Sequence, residues 1–112
     1  MLLLWYYKVN KSPLYYITKG ILTMKEQFIE YLIEQGYSVE TPSGKPSTVY
    51  DYPKRIDKVC KLENTTWEEL AKNISLIVML YDKGGAKEEQ GRQSKYAVIN
   101  ALRRFSEYLA TQ

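Results

Sequence analysis

The chain has 112 residues, with 16 Lys and Arg, 13 Asp and Glu and no His, which gives a formal net charge of +3. A chain of this length has room for one hydrophobic core, and 45% hydrophobic and 13% aromatic residues suffice to build it. The absence of His removes the commonest general base and metal ligand, and the single Cys60 allows neither a disulfide framework nor the usual zinc spacings. We therefore expect a non-catalytic protein of the cytoplasm, without metal or cofactor.

Residues 1–23 differ from the remainder and are interpreted as a leader outside the core. They contain three lysines and no acidic residue, and they show neither a sustained helical nor an alternating pattern. The apolar run 2–7 is too short to span a membrane, and the features of a secretory signal are missing. Because Lys19-Gly20 can be encoded by an AAAGGA-type ribosome-binding sequence, we interpret Met24 as the start of the protein. The alternative is an N-terminal strand or arm that packs on the domain.

Without the leader, the domain over residues 24–112 carries 13 basic and 13 acidic residues and is neutral. Its charge is unevenly distributed, because residues 45–61 contain five basic and two acidic residues, and residues 83–104 contain six and two. This separation is expected for one basic face on an acidic body, but ordinary solvated helices show it as well.

Helical periodicity predicts a first helix over residues 25–35, with the polar side chains of Glu26, Glu30 and Glu34 opposite its apolar side. Gly36 follows where a left-handed residue usually ends a helix, and residues 37–46 form a turn-rich loop. The second helical region starts at Ser47. Proline lacks an amide and disfavours a helical residue before it, so we expect a short turn over 48–51 and a new helix from Pro53.

The third helix opens at two overlapping capping boxes, Thr65 with Glu68 and Thr66 with Glu69. Residues 74–80 are apolar on nearly all sides, which predicts the central, most buried helix; a buried strand is the alternative. A polar loop over 86–93 leads to the last helix, residues 94–109, with Ser94 as its N-cap and a basic side facing outward. Together these elements predict an all-α fold, a compact bundle of four to five helices.

The segments FIEYL, STVYDY, WEEL and SKYAVINALRRFSEYL, in this order, resemble the SAM-like N-terminal core-binding domain of phage-type tyrosine recombinases (integrases). The resemblance covers about residues 28–109. It implies a SAM-like bundle that grips double-stranded DNA through its second and fourth helices, while a separate catalytic domain cleaves the strand. Because the chain holds no equivalent of that catalytic domain, the resemblance implies a stand-alone, non-catalytic DNA-binding module of a phage or mobile element.

The resemblance also implies the DNA-contacting residues, which lie at the start of the second helical region, along that helix, and on the last helix: Ser47, Thr48, Tyr50, Lys54, Arg55, Lys58, Gln93, Ser94, Lys95, Asn100, Arg103 and Arg104. The break expected at Pro53 departs from the family pattern, and a neutral domain neutralises few phosphates. The alternative is a protein-interaction or regulatory module, in which the same basic face meets an acidic protein of the same mobile element. The DNA hypothesis requires the basic side chains to converge on one surface.

Overall fold

The computed structural model describes residues 22–39 and 47–112, and all regular secondary structure within these ranges is helical. Within these ranges six helices follow one another: α1 (Met24–Glu34), α2 (Thr48–Leu62), α3 (Trp67–Lys72), α4 (Ile74–Tyr81), α5 (Glu88–Gln93) and α6 (Ala97–Ala110). The all-α prediction is confirmed. The number exceeds four or five because the third predicted helix is divided at Asn73, and because the predicted loop 86–93 contains the short α5. None of the described helices combines the length and apolar character that crossing a membrane requires.

Helix α1 is capped at both ends. At its start, the Glu26 amide donates to Thr23 Oγ1 at 3.1 Å and the Thr23 amide donates to Glu26 Oε1 at 3.0 Å. This capping box brings Thr23, which the predicted boundary assigns to the leader, into the folded domain. At its end, Gly36 has the expected left-handed conformation, with φ of +98°. Residues 1–21 of the leader and loop residues 40–46 lie outside the described residues.

The predicted break at Pro53 is wrong, because α2 continues through this residue from Thr48 to Leu62. Pro53 lies close to the helix start and removes only the one hydrogen bond that its amide would donate to the Val49 carbonyl. The proline ring is fully buried, and this burial offsets the lost bond. Ser47 caps the helix, since its Oγ accepts a hydrogen bond from the Val49 amide at 3.3 Å.

The core lies where α1, α2 and α6 meet, with α3 closing one side. The Phe105 ring makes edge-on contacts with Phe28, at a centroid distance of 5.3 Å, and with Trp67, at 5.2 Å. The α2–α6 pair is the most extensive helix contact. From α2, the predicted apolar side enters this core, with buried Ile56, Val59 and Cys60.

Helix α4 is not the most buried helix, which corrects the prediction for residues 74–80. Ile77 and Tyr81 are buried, but Leu76 and Met79 are 55% and 69% exposed. The reason is that α4 packs mainly against α6 and α5, so an all-round apolar helix exposes one side. We call Leu76 and Met79 the apolar α4 face. Glu30 deviates in the opposite direction, because the helical pattern predicts an exposed polar residue and the structure buries it to 3% exposure.

The last helix begins at Ala97 rather than Ser94. Ser94 ends α5 instead, and its Oγ donates to the Gly91 carbonyl at 2.9 Å. The same hydroxyl accepts from the Val98 amide at 3.1 Å, so it still serves the first turn of α6. Lys95 and Tyr96 connect the two helices with φ of +54° and +66°. The chain thus turns sharply between α5 and α6.

Candidate nucleic-acid interface

Five of the twelve predicted DNA-contacting residues are exposed: Lys54, Lys58, Gln93, Lys95 and Asn100. Within the described residues, their side chains form no ion pair and no hydrogen bond, so they are available to a ligand. Two lie along α2, one on the end of α5, one in the turn that follows, and one on α6. Lys54, Lys58 and Asn100 lie on the helices predicted for them, whereas Gln93 and Lys95 precede the last helix.

The three predicted arginines are already paired with carboxylates. Arg103 Nη2 lies 2.7 Å from Asp82 Oδ2, and Arg104 Nη2 lies 3.0 Å from Glu107 Oε1. Hydrogen bonding from the Arg103 guanidinium lowers the pKa of Asp82 below its ordinary value. The Arg55 Nε is buried, 3.6 Å from the nearest oxygen of Asp51. Pairing reduces the charge that these arginines present to a phosphate.

The remaining predicted residues contribute to the fold. Ser47 is 5% exposed, and its hydroxyl donates to the Val39 carbonyl at 3.0 Å besides capping α2. Ser94 is engaged with the backbone of α5 and α6. Thr48 and Tyr50 are half-buried on the first turn of α2. These four side chains therefore have less freedom to reach a ligand than the exposed lysines.

An exposed row of lysines is the most regular feature of α2. Lys54, Lys58 and Lys61 follow the spacing i, i+4, i+7, which places them on one helix side, and all three are exposed. At 1.5 Å per residue, the row extends over about 10 Å. Measured along the axis of a duplex, this length covers about three phosphates of one strand. We call these residues the lysine row. Lys61 was missed, although the spacing that identifies it is visible in the sequence.

The two adjacent arginines of α6 point to different flanks of that helix. Arg103 is held by Asp82 beyond the end of α4 and borders a groove with Ser75 and Met79. Arg104 instead lies close enough to Tyr31 and Tyr52, on the α1 and α2 side, to act electrostatically on both phenols. The predicted basic side of α6 is therefore divided rather than uniform.

A second basic feature lies at the turn between α5 and α6. The Tyr96 ring is 42% exposed, and Lys83 Nζ lies 5.6 Å from its centroid. Lys95 is exposed beside it. The helical pattern placed Tyr96 inside the last helix, so its exposure was not foreseeable from periodicity. We call Lys83, Lys95 and Tyr96 the turn cluster.

Chemistry by Cys60 is disfavoured by its surroundings. Burial raises the pKa of this thiol to about 11, and the nearby Asp57 and Glu68 carboxylates act in the same direction. A thiol with such a pKa is almost fully protonated at neutral pH and is a poor nucleophile. Among the described residues, no group of three or more His, Cys, Asp or Glu is placed to hold a metal ion.

Comparison of the chain with known protein families, with curated proteins and with solved structures gives no match. The resemblance to integrase core-binding domains thus depends on the sequence segments quoted above, and the function has to be argued from the geometry of the surface.

Proposed function

We propose that the chain is a non-catalytic DNA-binding module, similar to an integrase core-binding domain, that grips the backbone of double-stranded DNA. The lysine row carries this proposal, because it presents three exposed ammonium groups on one helix side, and none of them forms an ion pair among the described residues. Exposed Gln93, Lys95 and Asn100 add polar contacts near the start of α6. From the resemblance and the single cysteine, we infer an accessory protein of a phage or mobile element that works in the cytoplasm.

The expected strength of binding follows from the number of phosphates that are neutralised. Three lysines predict a slope of about −2.7 in a plot of log K against log salt concentration. Between about 50 and 200 mM salt, this slope corresponds to an affinity loss of about 40-fold. The paired arginines contribute less, because each must first leave its carboxylate.

Fluorescence anisotropy of a labelled blunt duplex, titrated with the full chain over this range of salt, tests the proposal. We expect Lys58→Ala to weaken binding and to lower the slope by about 0.9. Lys72→Ala is the matched control, because Lys72 is also exposed but lies on α3 and is paired with Glu69. Absence of binding at low salt, or equal slopes for both variants, would refute a backbone grip by the lysine row.

A protein-interaction module is the second candidate, and the apolar α4 face is the observation that favours it. Covering an exposed Leu or Met side chain contributes about 1.5 to 3 kcal/mol when burial is complete. The face is bordered by the Asp82–Arg103 ion pair, which would form a polar rim. If this face binds a second copy of the chain, sedimentation equilibrium will show a dimer that Met79→Asp dissociates. A monomer at all concentrations would exclude self-association through the apolar α4 face.

A further inference from the structure

Three helices of this fold end with the same hydrogen-bonded turn, the Schellman motif. After α1 its left-handed residue is Gly36, and after α2 it is Asn64, with φ of +98° and +52°. After α5 it is Lys95, whose amide donates to the Arg92 carbonyl at 3.0 Å. The next amide, that of Tyr96, donates to the Gly91 carbonyl at 2.8 Å and completes the motif.

The residue types at the three turns differ in a way that backbone geometry does not explain. Glycine and asparagine adopt the left-handed conformation readily, whereas a lysine there brings its β-carbon close to a carbonyl oxygen. The third turn places Lys95 in this conformation and then Tyr96 as well. Glycine at either position would form the same turn with less strain.

The side chains at this turn are displayed at the surface. Lys95 is exposed, and Tyr96 is 42% exposed although Lys83 Nζ lies 5.6 Å from its ring centroid. A strained backbone that displays exposed side chains is typical of a ligand contact. The chemistry of the cluster defines that ligand, because two ammonium groups recognise phosphates and an exposed aromatic ring stacks on a base.

A base can stack on Tyr96 only when it is unpaired, since bases inside a duplex already stack on one another. We propose that the turn cluster binds an unpaired nucleotide next to the duplex held by the lysine row. This inference rests on the proposed function and names its substrate class: DNA in which a duplex meets a single-stranded end.

Two labelled probes test the inference with the full chain: a blunt duplex, and the same duplex with a short single-stranded overhang. We expect the overhang to be bound about tenfold more tightly, as one stacked base permits. Tyr96→Gly should abolish this preference without changing the affinity or the salt slope for the blunt duplex. Asn64→Gly is the control, since it also introduces a glycine at a left-handed position, in the turn after α2, and should preserve the preference.

The possible results separate this inference from the proposed function. Equal affinity for the two probes, with duplex binding intact, overturns the inference that the turn cluster binds an unpaired nucleotide. The proposal that the lysine row grips the duplex is not affected by this result. Binding to neither probe overturns both. A preference that persists in Tyr96→Gly shows that the ring does not stack, and also overturns the inference. If the glycine variant does not fold, Tyr96→Asn replaces it, because asparagine tolerates the same conformation.

Discussion

Replacement of Asp57 by alanine tests the polar contact that joins α1, α2 and α3. Asp57 Oδ2 accepts a hydrogen bond from Lys25 Nζ at 2.6 Å, and its Oδ1 accepts one from Trp67 Nε1 at 2.8 Å. Desolvation by itself raises the pKa of Asp57, but these two hydrogen bonds outweigh it and lower the pKa below its ordinary value. The carboxylate form is therefore stabilised by folding.

The magnitude follows from the exposure of the partners. The Lys25 and Asp57 side chains are 43% and 39% exposed, so solvent screening limits this ion pair to about 0.5 kcal/mol. The hydrogen bond from the indole to a charged acceptor contributes about 1.5 kcal/mol. Asp57→Ala should thus lower the free energy of unfolding by about 2 kcal/mol, and the melting temperature of a domain of this size by about 10 °C.

Urea denaturation of the full chain at neutral pH, followed by Trp fluorescence and circular dichroism, measures this loss. The contribution of Asp57 is present above the unfolded-state pKa of about 4 and disappears as the pH falls through the lowered folded-state pKa. In a double-mutant cycle with Trp67→Phe, we expect a coupling energy of about 1 kcal/mol. Asp51→Ala is the control, because it breaks only a long contact with Arg55 and removes a negative charge near the start of α2. It should lower the free energy of unfolding by about 0.5 to 1 kcal/mol. A coupling near zero, or equal losses for both aspartates, would refute the assignment.

Three further results are expected. Asp82→Asn should release Arg103 and steepen the salt dependence of duplex binding by about 0.9, whereas an unchanged slope in the same anisotropy titration would place Arg103 away from the DNA. Phe105→Ala should lower the free energy of unfolding by about 4 kcal/mol in urea denaturation, because it removes a fully buried ring; a loss below about 1 kcal/mol would contradict the packing. Because burial raises the pKa of Cys60 to about 11, the unfolded thiol ionises first, and stability should fall between about pH 9 and 11. Cys60→Ala should show a smaller fall over this range, and an equal one would exclude the thiol as its source.

The charge pattern illustrates the limit of counting residues along a sequence. Residues 83–104 are rich in basic side chains, yet Arg103 is paired with Asp82, which lies just outside this segment. Arg92 is similarly paired with Glu88 and Glu89 on its own short helix. Among the residues that the structure describes, positive charge without an ion-pair partner is concentrated instead on the lysine row and in the turn cluster. A segment that is rich in basic residues therefore need not form a basic surface.

The sequence by itself determined that the fold is helical, and it located several of the positions at which helices begin and end. Periodicity identified the buried side of α2, and Gly36 identified the end of α1, because both depend on interactions within a few residues. The same local reasoning failed at Pro53, where burial of the ring offsets a lost hydrogen bond, and at Ser94, which ends one helix instead of starting the next.

Only the tertiary structure decided which sides of the helices stay exposed and which charges stay free. Leu76 and Met79 have the composition of a core but no helix covers them among the described residues, while Arg103 and Arg104, adjacent in sequence, turn to opposite flanks of α6. The exposure of Tyr96 likewise follows from two consecutive left-handed residues that no periodicity encodes. For the α4 face and the two arginines the physical reason is the same: exposure and pairing depend on neighbours that are distant in sequence, and packing of the helices determines those neighbours.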